Sequence, residues 1–578
     1  MKFAFIMVLG LLAVQTNAAN ATMKGDGTVQ NPFQIDDYED LKAIGKENYL
    51  YSSNYILTAD IDASLSQQEN CDHYSCFGFV PIGLDRDAAG NTDFTGNIDG
   101  KNHIISGLYI RYLSDSHLAF IARLKGSVVN LNFDNIEVVS DSGNCGSVAG
   151  VLNGQIQNVH VTKGNIQGAD RVGGIVGAFT KADSVDAIMK NVSYQGNVEG
   201  TNDVGGIAGV SEADIINASV EVNIQARQKR IGGIVGNNKG RIINGQTKGS
   251  IVPLTSEVEY VGGIAGYSMG LISVCASSID LKKKSSYILY MEMGGIAGEN
   301  GGRIEYSYAT GNIEGERVIG GIAGVNTGLI ENSYAQTDII GEKTVGGLVG
   351  YIAGQYLIEE DSLIKISEGN VSTSYAANTM LRRYNGEYWG GLIGVGSDCT
   401  CDNSYWDSEL SKMKTSNGGV GLTTAEMMKK SSFVGWDTIG YKSGSGKFVN
   451  VWKFDEGKSY PTFNDEFIAL KIQSSSLDDD PNGGKVAVAQ NRTVADKRSF
   501  GTMLKNGKIE IRFEIPSTAV VKFSLLDMQG RVVKTQNIGR RAAGLHYENI
   551  DAENLARGRY FGILNVNGKV YEKTILLK

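Results

Sequence analysis

The feature that most restricts this chain is a five-residue signature, Gly-Gly-apolar-small-Gly, that returns along about half its length. It stands at Gly173-Gly174-Ile175-Val176-Gly177 and Gly205-Gly206-Ile207-Ala208-Gly209, and begins again at Gly232, Gly262, Gly294, Gly320, Gly346 and Gly390. Gly146-Ser147-Val148-Ala149-Gly150 is an earlier, imperfect copy. Copies are 26 to 32 residues apart up to Gly346, and the step of 44 to Gly390 predicts an insertion around residues 355–370. A sustained period of this length denotes a stacked repeat. Helical repeats are excluded, because the segments between copies lack 3.6-residue periodicity and alternate at every second residue, as at Tyr194, Gly196 and Val198. With 75 glycines but only 6 prolines, the chain is neither collagen-like nor a disordered tract. The glycines are expected to turn the chain sharply and to let sheet faces approach closely.

The second half of the repeat is apolar-x-Asn followed by an apolar, small or aromatic residue. Ile156-Gln157-Asn158-Val159 and Ile330-Glu331-Asn332-Ser333-Tyr334 are examples. Asn130, Asn158, Asn191, Asn217, Asn244, Asn332 and Asn403 share this slot, and Val274, Tyr306 and Thr373 take it in three coils. A recurrent amide at one corner predicts a ladder in which each side chain bonds to the next. Asn191-Val192-Ser193 and Asn217-Ala218-Ser219 also match the glycan-acceptor pattern, but a ladder accounts for all the positions together. The fold class expected is all-β: a right-handed parallel β-helix of about ten coils, roughly 45–50 Å long at ~4.8 Å per coil, with a small C-terminal β-sandwich.

The N-terminus reads as an export signal: Lys2, an apolar run from Phe3 to Val14, then Ala18, Ala19 and Ala21. No run of ~18 apolar residues follows, so no transmembrane segment is expected. Six cysteines in an exported chain permit disulfides. Cys71 and Cys76 enclose a short polar loop suited to a local bridge, whereas Cys145 and Cys275 read as buried small hydrophobes. Cys399 and Cys401 form a C-x-C pair without the second arm that zinc requires. A net charge of −9 without a basic stripe argues against nucleic acid.

The repeats resemble the GLUG motif of bacterial surface proteins with filamentous-haemagglutinin-like β-helices. Asn31-Pro32-Phe33-Gln34-Ile35, Tyr55 to Asp62 and Phe94 to Gly100 resemble the leader that precedes such arrays. A short helix with Tyr38, Leu41 and Ile44 on one face would cover the first coil, with Asp36-Asp37 as its N-cap and first turn. Ser404-Tyr405-Trp406-Asp407, Phe433 to Trp436, Trp452 and Ser459-Tyr460-Pro461 resemble the usual exit, read as an aromatic plug for the far end. Leu525 to Val533 and Leu555 to Tyr560 resemble the C-terminal sorting domain of the type IX secretion route of Bacteroidetes and their relatives. That resemblance implies a two-membrane bacterium, a partnership with the secretion machinery, and a secreted or outer-surface location. The expected organisation is 1–21 signal peptide, 22–112 leader, 113–408 repeat β-helix, 409–470 C-terminal cap, 471–499 linker and 500–578 sorting domain.

No catalytic constellation emerges. The five histidines form no zinc pattern, no nucleophile elbow occurs, and Asn91-Thr92-Asp93 lacks the partners of a polygalacturonase-like set. Asp170, Asp203, Glu257, Glu314 and Glu342 are scattered, so neither a metal nor another cofactor is expected, and Lys282-Lys283-Lys284 reads as an exposed loop. The expectation is a non-enzymatic adhesin-like rod binding an extracellular polysaccharide or a host or partner surface. Exposed tyrosines and the insertions at 278–290 and 355–370 would supply its contacts. The alternative is a polysaccharide lyase or hydrolase of the same fold.

Overall fold

The computed structural model describes residues 23–477 and 500–577 apart from short internal segments, the longest being 85–91 and 284–290. The expected export signal, the linker from residue 478 and Lys284 lie outside the described residues. The chain divides into two compact units, Met1–Gly484 and Lys485–Lys578.

The first unit is a parallel β-helix. One coil runs through Val176–Phe179, Ile188–Gly200 and Asn202–Gly205 before the next glycine pair. Ten short strands, from Ile121–Leu124 to Ile393–Gly396, stack as one parallel sheet, and 34 others form a second continuous sheet. Register is kept by the repeat: Ala149, Val176, Ala208, Val235 and Ala265 lie directly over one another. The apolar residue of each signature (Ile175, Ile207, Ile234, Ile264, Ile296, Ile322, Leu348, Leu392) points inward and is fully buried. The glycine pair acts through close approach alone, since none of these glycines has positive φ. A Cβ on Gly206 would stand 2.3 Å from the carbonyl oxygen of Gly233 in the next coil, so only glycine fits that backbone contact.

The sharp turn is made at the Asn slot. Asn130, Asn158, Asn191, Asn217, Asn244, Val274, Tyr306, Asn332, Thr373 and Asn403 all have φ between 45° and 58°, a left-handed conformation that Asn tolerates and β-branched residues resist. Asn130 donates to Asp99 at 3.0 Å, and Asn158, Asn191, Asn217 and Asn244 each donate to the amide oxygen one coil earlier at 2.7–2.9 Å. The ladder ends at Asn244, where Val274 follows. Asn332 and Asn403 hold the same corner conformation, but their stacked neighbours are Tyr306 and Thr373, which carry no amide. From there a buried serine ladder replaces it. The backbone N–H groups of Cys275, Ser307, Ser333 and Ser374 donate to Ser307, Ser333, Ser374 and Ser404 hydroxyls at 3.0–3.2 Å. Cys275 opens this series as a buried thiol 3.4 Å from the Ser273 carbonyl; Cys145 is buried likewise.

The leader does more than cap. Phe33–Ile35, Asn54–Leu57 and Asn97–Asp99 pair in parallel with one another and then with the strand from Ser127, so they extend the solenoid. Tyr38–Ala43 is helical, with Asp37 accepting from Asp40 N–H at 3.0 Å as N-cap, and Tyr38, Leu41 and Ile44 are buried. Cys71 and Cys76 are bridged. Cys399 and Cys401 are half-buried and neither belongs to a disulfide.

The exit segment departs from the expected plug. Residues 415–422 cover the last coil: Gly391 N–H donates to Thr415 at 3.0 Å, and Val420–Leu422 pairs with Tyr405–Asp407. The aromatic part instead runs back along the outside of the rod. Trp436 Nε1 donates to the Asn403 carbonyl at 2.9 Å, Trp452 packs on Tyr334 and Tyr375, and Phe467 reaches Tyr306 at 5.0 Å. Lys471 closes this strap on Glu305 at 3.1 Å. The reason is the repeat itself, which places tyrosines in one outward column of the last coils and leaves an apolar side face to cover. The 355–370 insertion forms an antiparallel hairpin, Gln355–Glu359 with Ser362–Ser367.

The second unit holds two antiparallel sheets, of three and four strands, between Phe500 and Leu577. Ile509, Ile511 and Phe513 of one and Val521, Phe523 and Leu525 of the other share a hydrophobic cluster.

Candidate functional site: a polar flank and a glycine-floored notch

Because residues repeat in register, outward side chains form columns along the rod. One column reads Asn132, His160, Ser193, Ser219, Gln246, Ala276, Tyr308, Tyr334, Tyr375 and Tyr405. Its first half is exposed or half-exposed and polar. Its second half is a ring stack, Tyr308 to Tyr334 at 4.9 Å and Tyr334 to Tyr375 at 5.0 Å with near-parallel planes, covered by the strap. These tyrosines, and Trp436 and Trp452 over them, are therefore structural, and the column does not supply the exposed tyrosines expected as contacts. A neighbouring column carries Asn165, Asn197, Asn223, Ser250, Asp280, Asn312, Asp338 and Thr379. Its members are exposed or half-exposed and bond along the column: Ser250 donates to Asn223 at 3.0 Å and Asn312 to Asp280 at 2.9 Å.

The glycine signature builds a second surface. On either side of it the outward residues face each other across a concave bend: Tyr260 precedes Gly262 and Tyr267 follows Gly266, and their rings lie 5.6 Å apart. The floor is backbone, because a Cβ on Gly298 would come within 2.5 Å of Val261 N. One wall is the column His117, Asn144, Arg171, Asp203, Arg230, Tyr260 and Glu292. The other is Asn237, Tyr267, Glu299 and Val325. Along the first wall polar groups satisfy one another, Arg230 clasping Asp203 with both prongs, the second at 3.1 Å, and Asn144 meeting His117 at 3.2 Å. Glu292 departs from this: its Oε2 is buried and has no hydrogen-bond partner among the described residues. Burial, reinforced by Glu299, pushes its carboxyl up to about 8, and burial also raises Glu299.

Sequence reasoning missed Glu292 and Glu299 because they are seven positions apart and resemble solvated turn acids. The available signal was their symmetry about the signature, Glu292-Met293-Gly294-Gly295-Ile296-Ala297-Gly298-Glu299, with tyrosines at the same two places one coil earlier. Of the predicted residues, the structure brings Asn130 to Asn244 together in the ladder and joins Cys71 to Cys76. Of the basic run, Lys283 is not exposed: it is paired with Glu342 at 2.6 Å, both side chains largely buried, whereas Lys282 is exposed and meets Asp280 at 3.1 Å. Asp93 binds Lys125 at 2.6 Å. The one group of acids close enough to share a cation among the described residues, Asp36, Asp37 and Asp40, caps the leader helix.

Comparison with known proteins agrees with this architecture. Residues 290–314, the coil that carries Glu292 and Glu299, match the GLUG motif. Residues 505–578 match the secretion system C-terminal sorting domain. A stretch of 170 residues, 29% of the chain, is 35% identical to Halomucin of Haloquadratum walsbyi and spans 2% of that protein. No helix among the described residues is long and apolar enough to cross a membrane. The chain is thus a GLUG-bearing parallel β-helix with a type IX sorting domain, a protein secreted or displayed at the cell surface.

Proposed function

We propose that the rod is a non-catalytic, adhesin-like binding element that lies along an extracellular polysaccharide. The observation that carries this reading is the registered outward column from Asn165 to Thr379. A regular row of amides, hydroxyls and carboxylates suits a regular polymer of hydroxyl groups, each contact repeating at the strand spacing. The strap supports it too, since it covers the tyrosine half of one face and leaves the polar half open. The sorting domain supplies the route to the place where such a polymer is met. A second reading, polymer hydrolysis, rests on the Glu292 and Glu299 pair, because glycoside cleavage employs two carboxyls of which one, the general acid, holds its proton at raised pH as Glu292 does.

The test is to incubate the purified chain with a panel of neutral, acidic and amino-sugar polysaccharides. Both co-sedimentation and new reducing ends are measured. Co-sedimentation without new ends is the expected result, weakened at least tenfold in an N197A/N223A/S250A variant. Release of ends would overturn the non-catalytic reading, and no sedimentation with any polymer would overturn polysaccharide binding.

A further inference from the structure

The notch changes character at one place. Upstream, its wall is closed by pairs such as Arg230 with Asp203; downstream, the walls become Val318 and Val325. Between them two tyrosines face each other over the signature, and Glu292 and Glu299 flank the next copy one coil further. The groups facing Glu292 are Glu299 on the opposite wall, Glu259 and Tyr260 on the coil before, and Arg317 ahead of the strand after. Three carboxyls, Glu292 and Glu299 half-buried and Glu259 exposed, therefore meet one guanidinium beside the glycine floor. Buried carboxylate oxygens are almost always bonded, yet Glu292 Oε2 has no partner among the described residues. Arg317 is the one cation among these facing groups, and it leaves Oε2 without a donor, so a second positively charged donor would fit there. The two tyrosine rings add attraction of the same sign, because an aromatic face draws a cation placed within ~6 Å.

We infer that Tyr260, Tyr267, Glu292 and Glu299 form a subsite for an ammonium group on a sugar, so that the polymer recognised is a cationic amino-sugar chain. This rests on the polysaccharide reading above and narrows it to a substrate class. An ammonium supplies up to three donors to Glu292 and Glu299, while the sugar ring lies against a tyrosine face. A uronate or sulfated sugar is repelled by the same carboxyls. An N-acetylated sugar lacks the charge that the site requires.

The decisive comparison is a matched pair of glucosamine oligosaccharides of equal length, fully deacetylated and fully N-acetylated. Binding to the full chain is measured by calorimetry at physiological salt and neutral pH. Binding of the deacetylated oligomer is expected to be at least tenfold tighter. E292Q and E299Q should each remove most of that preference, Y267A should weaken binding severalfold, and E221Q, at an exposed acid two coils earlier, should leave the preference unchanged. Circular dichroism shows whether each variant is folded, and E292Q keeps the side chain's shape while removing its ability to ionise against an ammonium. Equal binding of the two oligomers, or a preference that survives in both E292Q and E299Q, overturns the subsite while leaving polysaccharide binding standing. Failure of every polymer in the wider panel overturns both. Lysine oligopeptides that bind as tightly as the deacetylated sugar, with the same loss in E292Q, would replace the sugar by a basic polypeptide and overturn the proposal as stated.

Discussion

At the corner of each coil, ten residues hold a left-handed backbone, and seven of them are Asn. Asn relieves the cost of that conformation through its short polar side chain, whereas Val274 bears it with a branched Cβ. Val274→Asn should therefore stabilise the rod by about 1–2 kcal/mol, because it relaxes the backbone and offers a donor to Asn244 in the ladder. Chemical denaturation read by circular dichroism measures this, and a lower midpoint would contradict it. Glu292 gives a pH signature at the same scale. Its folded-state carboxyl is raised from an ordinary 4.5 to about 8, so the folded chain holds the proton more tightly than the unfolded chain does. Its contribution to stability is thus full below about 4.5 and falls as pH rises through about 8. Glu292→Gln should match wild type near pH 4 and be the more stable protein at pH 9, as thermal melts across that range would show. A constant difference at all pH values would remove Glu292 from this role.

Among the elements, the two ladders and the strap carry separate loads. Ser333 accepts from Ser307 N–H and itself bonds to the Glu331 carbonyl at 2.8 Å, fully buried. Ser333→Ala leaves a buried N–H without a partner and should cost about 1–3 kcal/mol, read as a lowered denaturation midpoint. Trp436 is fully buried between Trp452, Phe433 and the tyrosine column. Trp436→Ala should cost about 3–5 kcal/mol and make the 423–477 region cleavable by protease while the earlier coils stay resistant. Equal cleavage throughout would mean the strap and coils unfold as one. The repeat made the coils legible, since an apolar residue between glycines at every turn has one inward direction to take. The strap was not legible as a strap: Trp436 and Trp452 read as an end plug because their partners, Tyr334 and Tyr375, are separated from them by 61 to 118 residues of chain. The serine ladder was legible in principle, as Ser follows the corner residue at 307, 333, 374 and 404, but its residues looked like ordinary turn serines.

For the whole molecule, the sorting domain and the proposed binding surface reside in different units. Removal of residues 505–578 should leave the β-helix folded and keep it inside the outer membrane, where fractionation of the producing cells would find it; secretion of the shortened chain would contradict the role of the sorting domain. The sequence by itself determined the parallel solenoid, its register and the corner at which Asn recurs, because a period shared by glycine, an apolar residue and Asn permits one stacking only; that this corner, and not glycine, makes the left-handed turn came from the structure. It determined the sorting tail as well, through local segments that need no distant partner. The tertiary structure alone decided which surfaces are open. It folded the exit aromatics over the tyrosine column, ended the amide ladder at Val274, and set Glu292 and Glu299 across a glycine floor from each other. Each of those outcomes depends on what lies one coil away or outside the coil altogether. Distance across a notch, and the burial of a carboxyl within it, arise only when the chain has stacked upon itself.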